Sequence, residues 1–144
     1  HMAYSQAFDG IFWTGTPERR SDREGHERHL NILKEENGMF YIGGLVAGFD
    51  FLAEGNETHL ERDGGYILNV KWSGLINSCG KQGSKVEHVY VPFNDWGEGG
   101  SIEPAADMPP LVRGRPRYKT FAPLHATDYL YLNKARAKEF KESR

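Results

Sequence analysis

Residues that could do chemistry are few, and a carboxylate inside an apolar run is the leading one. Asp50 follows an apolar stretch and precedes Phe51 and Leu52, so we expect its carboxyl group to be partly removed from water and to act as a general acid or base. A carboxylate at the edge of a sheet, hydrogen-bonded to a backbone turn, would show the same pattern. Both interpretations of Asp50 stay open on the sequence.

Histidines offer two further kinds of chemistry. His26 and His29 are three residues apart, but a zinc site needs at least a third protein ligand, so we expect no metal. His29 and His88 each precede an alternating segment, as the paired imidazoles of a two-histidine phosphoesterase would. Asn31 and Tyr90 stand where hydroxyl groups would hold the phosphate. This phosphoesterase is the third functional alternative.

Glycines and prolines indicate the elements that must position these residues. Seventeen glycines and seven prolines are spread along the chain, which divides it into short segments, as turns divide an all-β protein. The clearest predicted strand is 66–76, where one apolar face alternates with a polar one. A tight turn at Asp63, Gly64 and Gly65 would precede it. Further strands are predicted over residues 39–42, 45–52, 86–93, 118–121 and 129–132.

Helix is predicted in one place. Residues 16–31 are charged with few apolar anchors, which indicates a loop, whereas 133–144 has a helical pattern with Asn133 as its N-cap. Residues 94–115 predict a long loop. The predicted fold is therefore all-β: a single antiparallel β-barrel domain over residues 3–144 with a short C-terminal helix. Residues 1–2 have the form of a cloning scar.

Composition excludes several classes of function. The chain has 144 residues, a formal charge of −2 and a single cysteine, so no nucleic-acid partner, disulfide framework or multi-thiolate zinc site is expected. No apolar run is long enough to cross a membrane, and no secretory signal is visible, which favours the cytoplasm. No nucleotide or dinucleotide motif is present, so we expect no cofactor.

Aromatic residues favour a small-molecule pocket. They make up 12% of the chain, and a barrel lined by rings such as Tyr41 and Trp72 would enclose a ligand. On the polar face of the predicted strand 66–76, Lys71 and Asn69 could orient a phenolate or carbonyl oxygen. Alternatively, the rings fill the core and the polar face meets water.

Two stretches carry a resemblance to a known family. They comprise residues 43–51 with 63–70, including an Asp–aromatic pair and an Asp–Gly turn, and residues 116–121 with 129–133, which read Pro-Arg-aromatic-x-Thr and Tyr-x-x-Leu-Asn. In this order they resemble the domain-of-unknown-function 3237 barrel family of bacteria and fungi. Some fungal members of that family look like cofactor-free polyketide cyclases.

The resemblance implies an antiparallel barrel similar to the allene oxide cyclase and dirigent barrels. Tyr118 and Tyr129, in the two C-terminal segments, could donate hydrogen bonds in the pocket or pack in the core. Asp50 and Lys71 are the predicted catalytic residues. The final strand of the family is absent here. Because an open barrel edge invites pairing with another chain, we expect a homodimer.

The function predicted from these arguments is a cofactor-independent cyclase or isomerase. Its substrate would be a hydrophobic, oxygenated small molecule such as a phenolic polyketide, and its reaction the intramolecular addition of a hydroxyl group to an alkene. The alternative is a barrel that binds a small molecule without transforming it.

Overall fold

The chain alternates between strands and helices. A computed structural model describes residues 9–14, 23–35, 40–50, 59–79, 86–93, 102–103, 111–112, 115–116 and 124–143. The elements in chain order are β1 (Gly10–Trp13), α1 (Arg23–Glu35), β2 (Phe40–Gly44), β3 (Phe49–Asp50), β4 (His59–Leu60), a 3₁₀ turn (Asp63–Gly65), α2 (Tyr66–Cys79), β5 (Val86–Tyr90), β6 (Leu111–Val112), β7 (Arg115–Pro116) and α3 (Ala126–Glu142).

Three strands form the central sheet. Its order is β1–β2–β5, and both pairings are parallel. Ile42 of β2 lies opposite Phe12 of β1 and His88 of β5, and Gly44 lies opposite Tyr90. The strands β3 and β4 form an antiparallel pair, as do β6 and β7. Parallel neighbours joined through a helix are the βαβ unit, so the sheet is made of consecutive βα units.

The helices pack on one face of this sheet. Tyr41 of β2 is fully buried and hydrogen-bonds to His26 of α1, and a Cβ at Gly43 would lie 2.6 Å from Leu75 of α2. Because alternate strand residues point to opposite faces, Tyr41, Gly43 and Leu45 face the helices. The main core lies in this layer and includes Leu30, Tyr41, Leu45, Leu68, Trp72, Leu75, Tyr129 and Phe140.

On the opposite face of the sheet, three side chains are exposed. Phe12 keeps 51% of its surface accessible and Tyr90 keeps 46%, and His88 is exposed as well. A parallel sheet is usually covered on both faces. Among the described residues, the helices pack on one face of the sheet, and Phe12, His88 and Tyr90 are exposed on the other.

The predicted all-β antiparallel barrel is wrong, because the segment taken as its best strand is a helix. In α2, Ile67, Leu68, Lys71, Trp72 and Leu75 are all buried. Their spacing follows the 3.6-residue period of a helical stripe, not the two-residue period of a strand. The alternation that predicted a strand ran through Tyr66, which is 53% exposed.

Some of the other predicted elements match the structure and others do not. The strands predicted at 39–42 and 86–93 overlap β2 and β5, whereas the predicted loop at 16–31 overlaps α1 and the predicted strand at 129–132 lies inside α3. The predicted C-terminal helix exists but begins at Ala126, where the backbone N–H of His125 donates to Oδ2 of Asp128 at 2.9 Å. The predicted strand at 118–121 lies outside the described residues.

The turn before residue 66 has the predicted backbone but a different role. Asp63, Gly64 and Gly65 all have positive φ, at 51°, 58° and 82°. Glycine adopts this region without the steric cost of a side chain. The turn leads into helix α2 and does not form a hairpin.

The assembly and the domain limits stay predictions. The dimer was expected from a missing barrel strand, and that reason no longer applies; among the described strands, β1 and β5 are instead the two edges of the sheet. Within the described stretches, none of the helices combines the length and the apolar character that a membrane span requires.

Candidate functional site

The connections at the two ends of the sheet differ in length. Those that lead from a helix to the next strand are residues 36–39 and 80–85, whereas those that lead from a strand to the next helix include 45–65 and 91–125. The pairs β3–β4 and β6–β7 both lie in these long connections. In parallel α/β folds, ligands bind outside the carboxyl ends of the strands. We therefore place the candidate site at the ends of β1, β2 and β5, called the carboxyl edge below.

Close backbone packing holds the carboxyl edge together. A Cβ at Gly44 would come 2.4 Å from the carbonyl oxygen of Trp13 and 2.5 Å from Cα of Thr14, so a larger residue would push β1 and β2 apart. Beyond Gly44, the N–H of Leu45 donates to the carbonyl of Tyr90 at 2.9 Å. The strands thus stay paired up to the point where the long connections begin, although the register of β2 and β5 shifts between Tyr41 and Ile42.

Aromatic rings are exposed at this edge. Phe12 and Tyr90 form an edge-to-face pair with ring centroids 5.2 Å apart. Phe93, three residues beyond Tyr90, is 52% exposed. Its backbone carbonyl accepts hydrogen bonds from the N–H groups of Ile102 at 3.2 Å and Glu103 at 2.8 Å, which holds residues 102–103 against the end of β5.

The connection that follows β2 contains a buried cation. Arg62 is only 5% exposed, and its guanidinium carbon is 5.4 Å from the centroid of the Tyr129 ring in α3. Burial lowers the pKa of Arg62. Burial also raises the pKa of Tyr129, against the opposing effects of Arg62 and of a hydrogen bond with the backbone of Gly65. This cation–π contact fixes the connection to the start of α3.

The predicted site residues are spread over several elements. Asp50 lies in β3 opposite His59 of β4, in the long connection after β2. Tyr41, Lys71 and Trp72 are buried in the helical layer, and Tyr129 is buried against Arg62. Asn69 is exposed on α2. Tyr118 lies outside the described residues. The chemical roles assigned to these seven residues stay predictions.

The two histidines of the phosphoesterase interpretation do not face one another. His29 belongs to α1, bonds through Nδ1 to the carbonyl of Gly25 at 2.8 Å and stacks on Trp13. His88 lies on the opposite, exposed face of the sheet. That interpretation is therefore wrong. Among the described residues, no group of three or more His, Cys, Asp or Glu could hold a metal ion.

Solved structures provide the comparison for this fold. The chain is similar to the GH99 endo-α-mannosidase from Bacteroides thetaiotaomicron, with a TM-score of 0.75 and 20% identity over 95% of this chain and 40% of that one. It is also similar to the same enzyme in complex with BIS-TRIS propane, with a TM-score of 0.72, 20% identity and coverage of 95% and 42%. The described fold is similar to part of a GH99 mannosidase. The chain spans about two fifths of that enzyme's length.

Sequence comparison adds no family. No model of a protein family matches this chain, and no curated protein matches it either. The resemblance to the domain-of-unknown-function 3237 family is wrong, because the fold has parallel βα units in place of an antiparallel barrel. The predicted polyketide cyclase and the predicted non-catalytic binding barrel are wrong with it, since both required that barrel.

The sequence reasoning also missed a group of carboxylates. Asp95 and Glu98 follow β5 in the chain and lie outside the described residues. Glu103 is described, and its backbone N–H donates to the carbonyl of Phe93 just beyond β5. The signal that could have found Asp95 and Glu98 is an acidic segment that follows a strand of a parallel sheet, because functional residues in such folds come from the connections after the strands.

Proposed function

We propose that this chain forms part of a glycoside hydrolase that acts on α-linked mannosides at the carboxyl edge. The observation that carries the proposal is the fold, whose parallel βα units match part of an endo-α-mannosidase. The long connections after β2 and β5 and the half-exposed aromatic rings support it independently of that match.

Glycoside hydrolysis requires two carboxyl groups near the scissile bond. In most families one protonates the leaving oxygen, and the other acts as a nucleophile or activates water. Asp95 and Glu98 are our candidates for this pair, because they are the first acidic residues after β5 and are only three residues apart. Asp50, in the connection after β2, is the third candidate.

The test is cleavage of an α-linked manno-oligosaccharide labelled at its reducing end. We expect the protein to release shorter labelled products. Asp95→Asn and Glu98→Gln should each lower the rate by roughly 10²–10⁴, the usual contribution of acid–base catalysis. The control is Glu142→Gln, which changes a carboxylate that is 66% exposed at the far end of α3 and should leave the rate unchanged.

Two results would overturn the proposal. One is the absence of cleavage by the folded protein. The other is cleavage that neither Asp95→Asn nor Glu98→Gln slows, with Asp50→Asn also unchanged. Slowing by Asp50→Asn alone would keep the hydrolase and move one carboxyl role to the connection after β2.

A further inference from the structure

We propose that His26 is a pH-sensitive switch, which holds α1 on the sheet while it is neutral and releases the helix when it is protonated. The inference goes beyond the proposed function, because it concerns the docking of α1 and holds whatever reaction takes place at the carboxyl edge. His26 has no part in the chemistry proposed above, although it is fully buried.

His26 lies in the interface between α1 and the first two strands. Its Nδ1 is 2.8 Å from the hydroxyl oxygen of Tyr41 in β2, and the centroids of these two rings are 6.0 Å apart. Its ring also meets the indole of Trp13, the last residue of β1, edge to face at a centroid distance of 4.9 Å. One imidazole therefore contacts both β1 and β2.

This position disfavours a positive charge on the ring. Burial removes an imidazolium from water, which costs far more than burial of the neutral ring. His26 is also the fourth residue of α1, where the helix macrodipole is positive. The face of the Trp13 indole attracts a cation, but this attraction offsets only part of the loss of water. We therefore expect His26 to stay neutral in the folded chain.

The charged side chains of α1 do not reverse this preference. Arg23, one turn before His26, is itself a cation, and its Nε donates to Oε1 of Glu27 at 2.7 Å, so that carboxylate already has a counter-ion. Glu24 is exposed, where water and salt screen its charge. His29, one turn after His26, adds no negative charge.

The elements packed against α1 add no negative charge either. The described elements β1, β2 and α2 contain no aspartate or glutamate. Near the start of α1, Oγ of Ser78 in α2 donates to the carbonyl of Arg23 at 3.5 Å. The buried titratable side chain among the described residues of α2 is Lys71. Protonation of His26 would therefore place a cation in an interface without acidic residues from the sheet or from α2.

Few apolar contacts would have to break for α1 to leave the sheet. Among the described side chains of this helix, at residues 23–32, only His26 and Leu30 are buried. By contrast, α2 buries Leu68, Trp72 and Leu75. Elements with few buried apolar contacts open at a lower free energy than the whole domain. Acid should therefore release α1 before α2 and α3 unfold.

The experiment measures amide hydrogen exchange of the full chain at pH 7.5 and pH 5.5, after correction for the intrinsic effect of pH on exchange. Below about pH 6.5, the ordinary pKa of histidine, the open form takes up a proton that the closed form does not, so its population grows by up to about tenfold per pH unit. We expect the protection of α1 amides to fall by up to about tenfold at pH 5.5, while that of α3 amides is retained.

Two variants assign this effect to one imidazole. His26→Asn keeps a polar partner for Tyr41 but cannot become charged, so the protection of α1 should no longer depend on pH. The matched control is His88→Asn, because His88 is an exposed histidine of β5. In this control, α1 should lose protection in acid as it does in the native protein.

A second measurement needs no substitution and decides the question even if His26→Asn fails to fold. Nitrogen NMR shifts of the imidazole rings in the native protein report their protonation directly, and we expect a neutral His26 in the folded protein at pH 5.5. A protonated His26 in the folded protein, or protection of α1 that does not change with pH, would overturn the switch. The same holds for an equal loss in folded His26→Asn, and for an equal loss in α1 and α3, since acid would then unfold the whole domain.

Discussion

Gly25 of α1 lies directly against the indole ring of Trp13, the last residue of β1. A Cβ at position 25 would come 1.9 Å from Cη2 of that ring. The glycine lets α1 approach the sheet closely, and the same indole then contacts the rings of His26 and His29, at centroid distances of 4.9 and 5.1 Å. One small residue thus determines how the first helix sits on the first strand.

Gly25→Ala should destabilise the protein. Overpacking against a rigid ring costs about 1–3 kcal/mol, and the better helix propensity of alanine offsets at most about 1 kcal/mol. We expect a net loss of about 1–2 kcal/mol in the free energy of unfolding, measured by urea denaturation. In a Trp13→Leu background the same substitution should cost clearly less. Equal costs in both backgrounds would show that the indole contact is not the cause.

Tyr41→Phe tests the buried hydrogen bond between β2 and α1. Its hydroxyl oxygen is 2.8 Å from Nδ1 of His26, and both residues are fully buried. Removing the hydroxyl should lower the free energy of unfolding by about 1–3 kcal/mol, because a buried polar atom loses this partner. Tyr131→Phe, at an exposed position, should change it by less than about 0.5 kcal/mol. Similar effects of the two substitutions would contradict the prediction.

Asn133→Ala tests the link between α2 and α3. The indole N–H of buried Trp72 donates to Oδ1 of Asn133 at 2.9 Å. Asn133→Ala removes this acceptor from a buried donor, which should lower the free energy of unfolding by about 1–3 kcal/mol. The cost should shrink when Trp72→Phe has already removed the donor. Thermal unfolding of the four proteins in this cycle measures the coupling, and a coupling of zero would reject it.

Stability should fall at high pH because of Tyr129. Burial raises its pKa above the ordinary 10.0, so above about pH 10 the unfolded chain loses a proton that the folded chain retains. The folded state is then penalised progressively as pH rises towards the folded-state pKa. Urea midpoints at pH 8, 10 and 11 should decline in the native protein and decline less in Tyr129→Phe. Parallel declines would assign the effect to other groups.

The sequence predicts an element correctly where the residue types follow the burial pattern of that element. The strands at 39–42 and 86–93 were predicted correctly because short runs of aromatic and β-branched residues favour strands. The prediction for the segment 66–79 was wrong because Lys71 is buried and Tyr66 is exposed. At these two positions, the polarity of the side chain does not match its exposure. Because Lys71 is polar but buried, the apolar residues alone do not show the helical period of the buried face.

The site was harder to predict than the elements. Asp50 was singled out from its apolar neighbours, and the structure places it in a connection at the carboxyl edge. Asp95 and Glu98 were passed over, because their significance depends on a parallel sheet that an antiparallel interpretation excludes. Phe12 and Tyr90 are distant in the chain, and only the pairing of both strands with β2 brings their rings together.

The contact between Phe12 and Tyr90 also constrains the order of folding. It joins the first strand of the sheet to the last, and it can form only when β2 has paired with both. Such non-local contacts are made late, after the entropy of closing the intervening chain has been lost. Substitutions there should speed unfolding more than they slow refolding. A nascent chain that ends before Val86 lacks Tyr90, so Phe12 has no partner for this ring contact until β5 has been made.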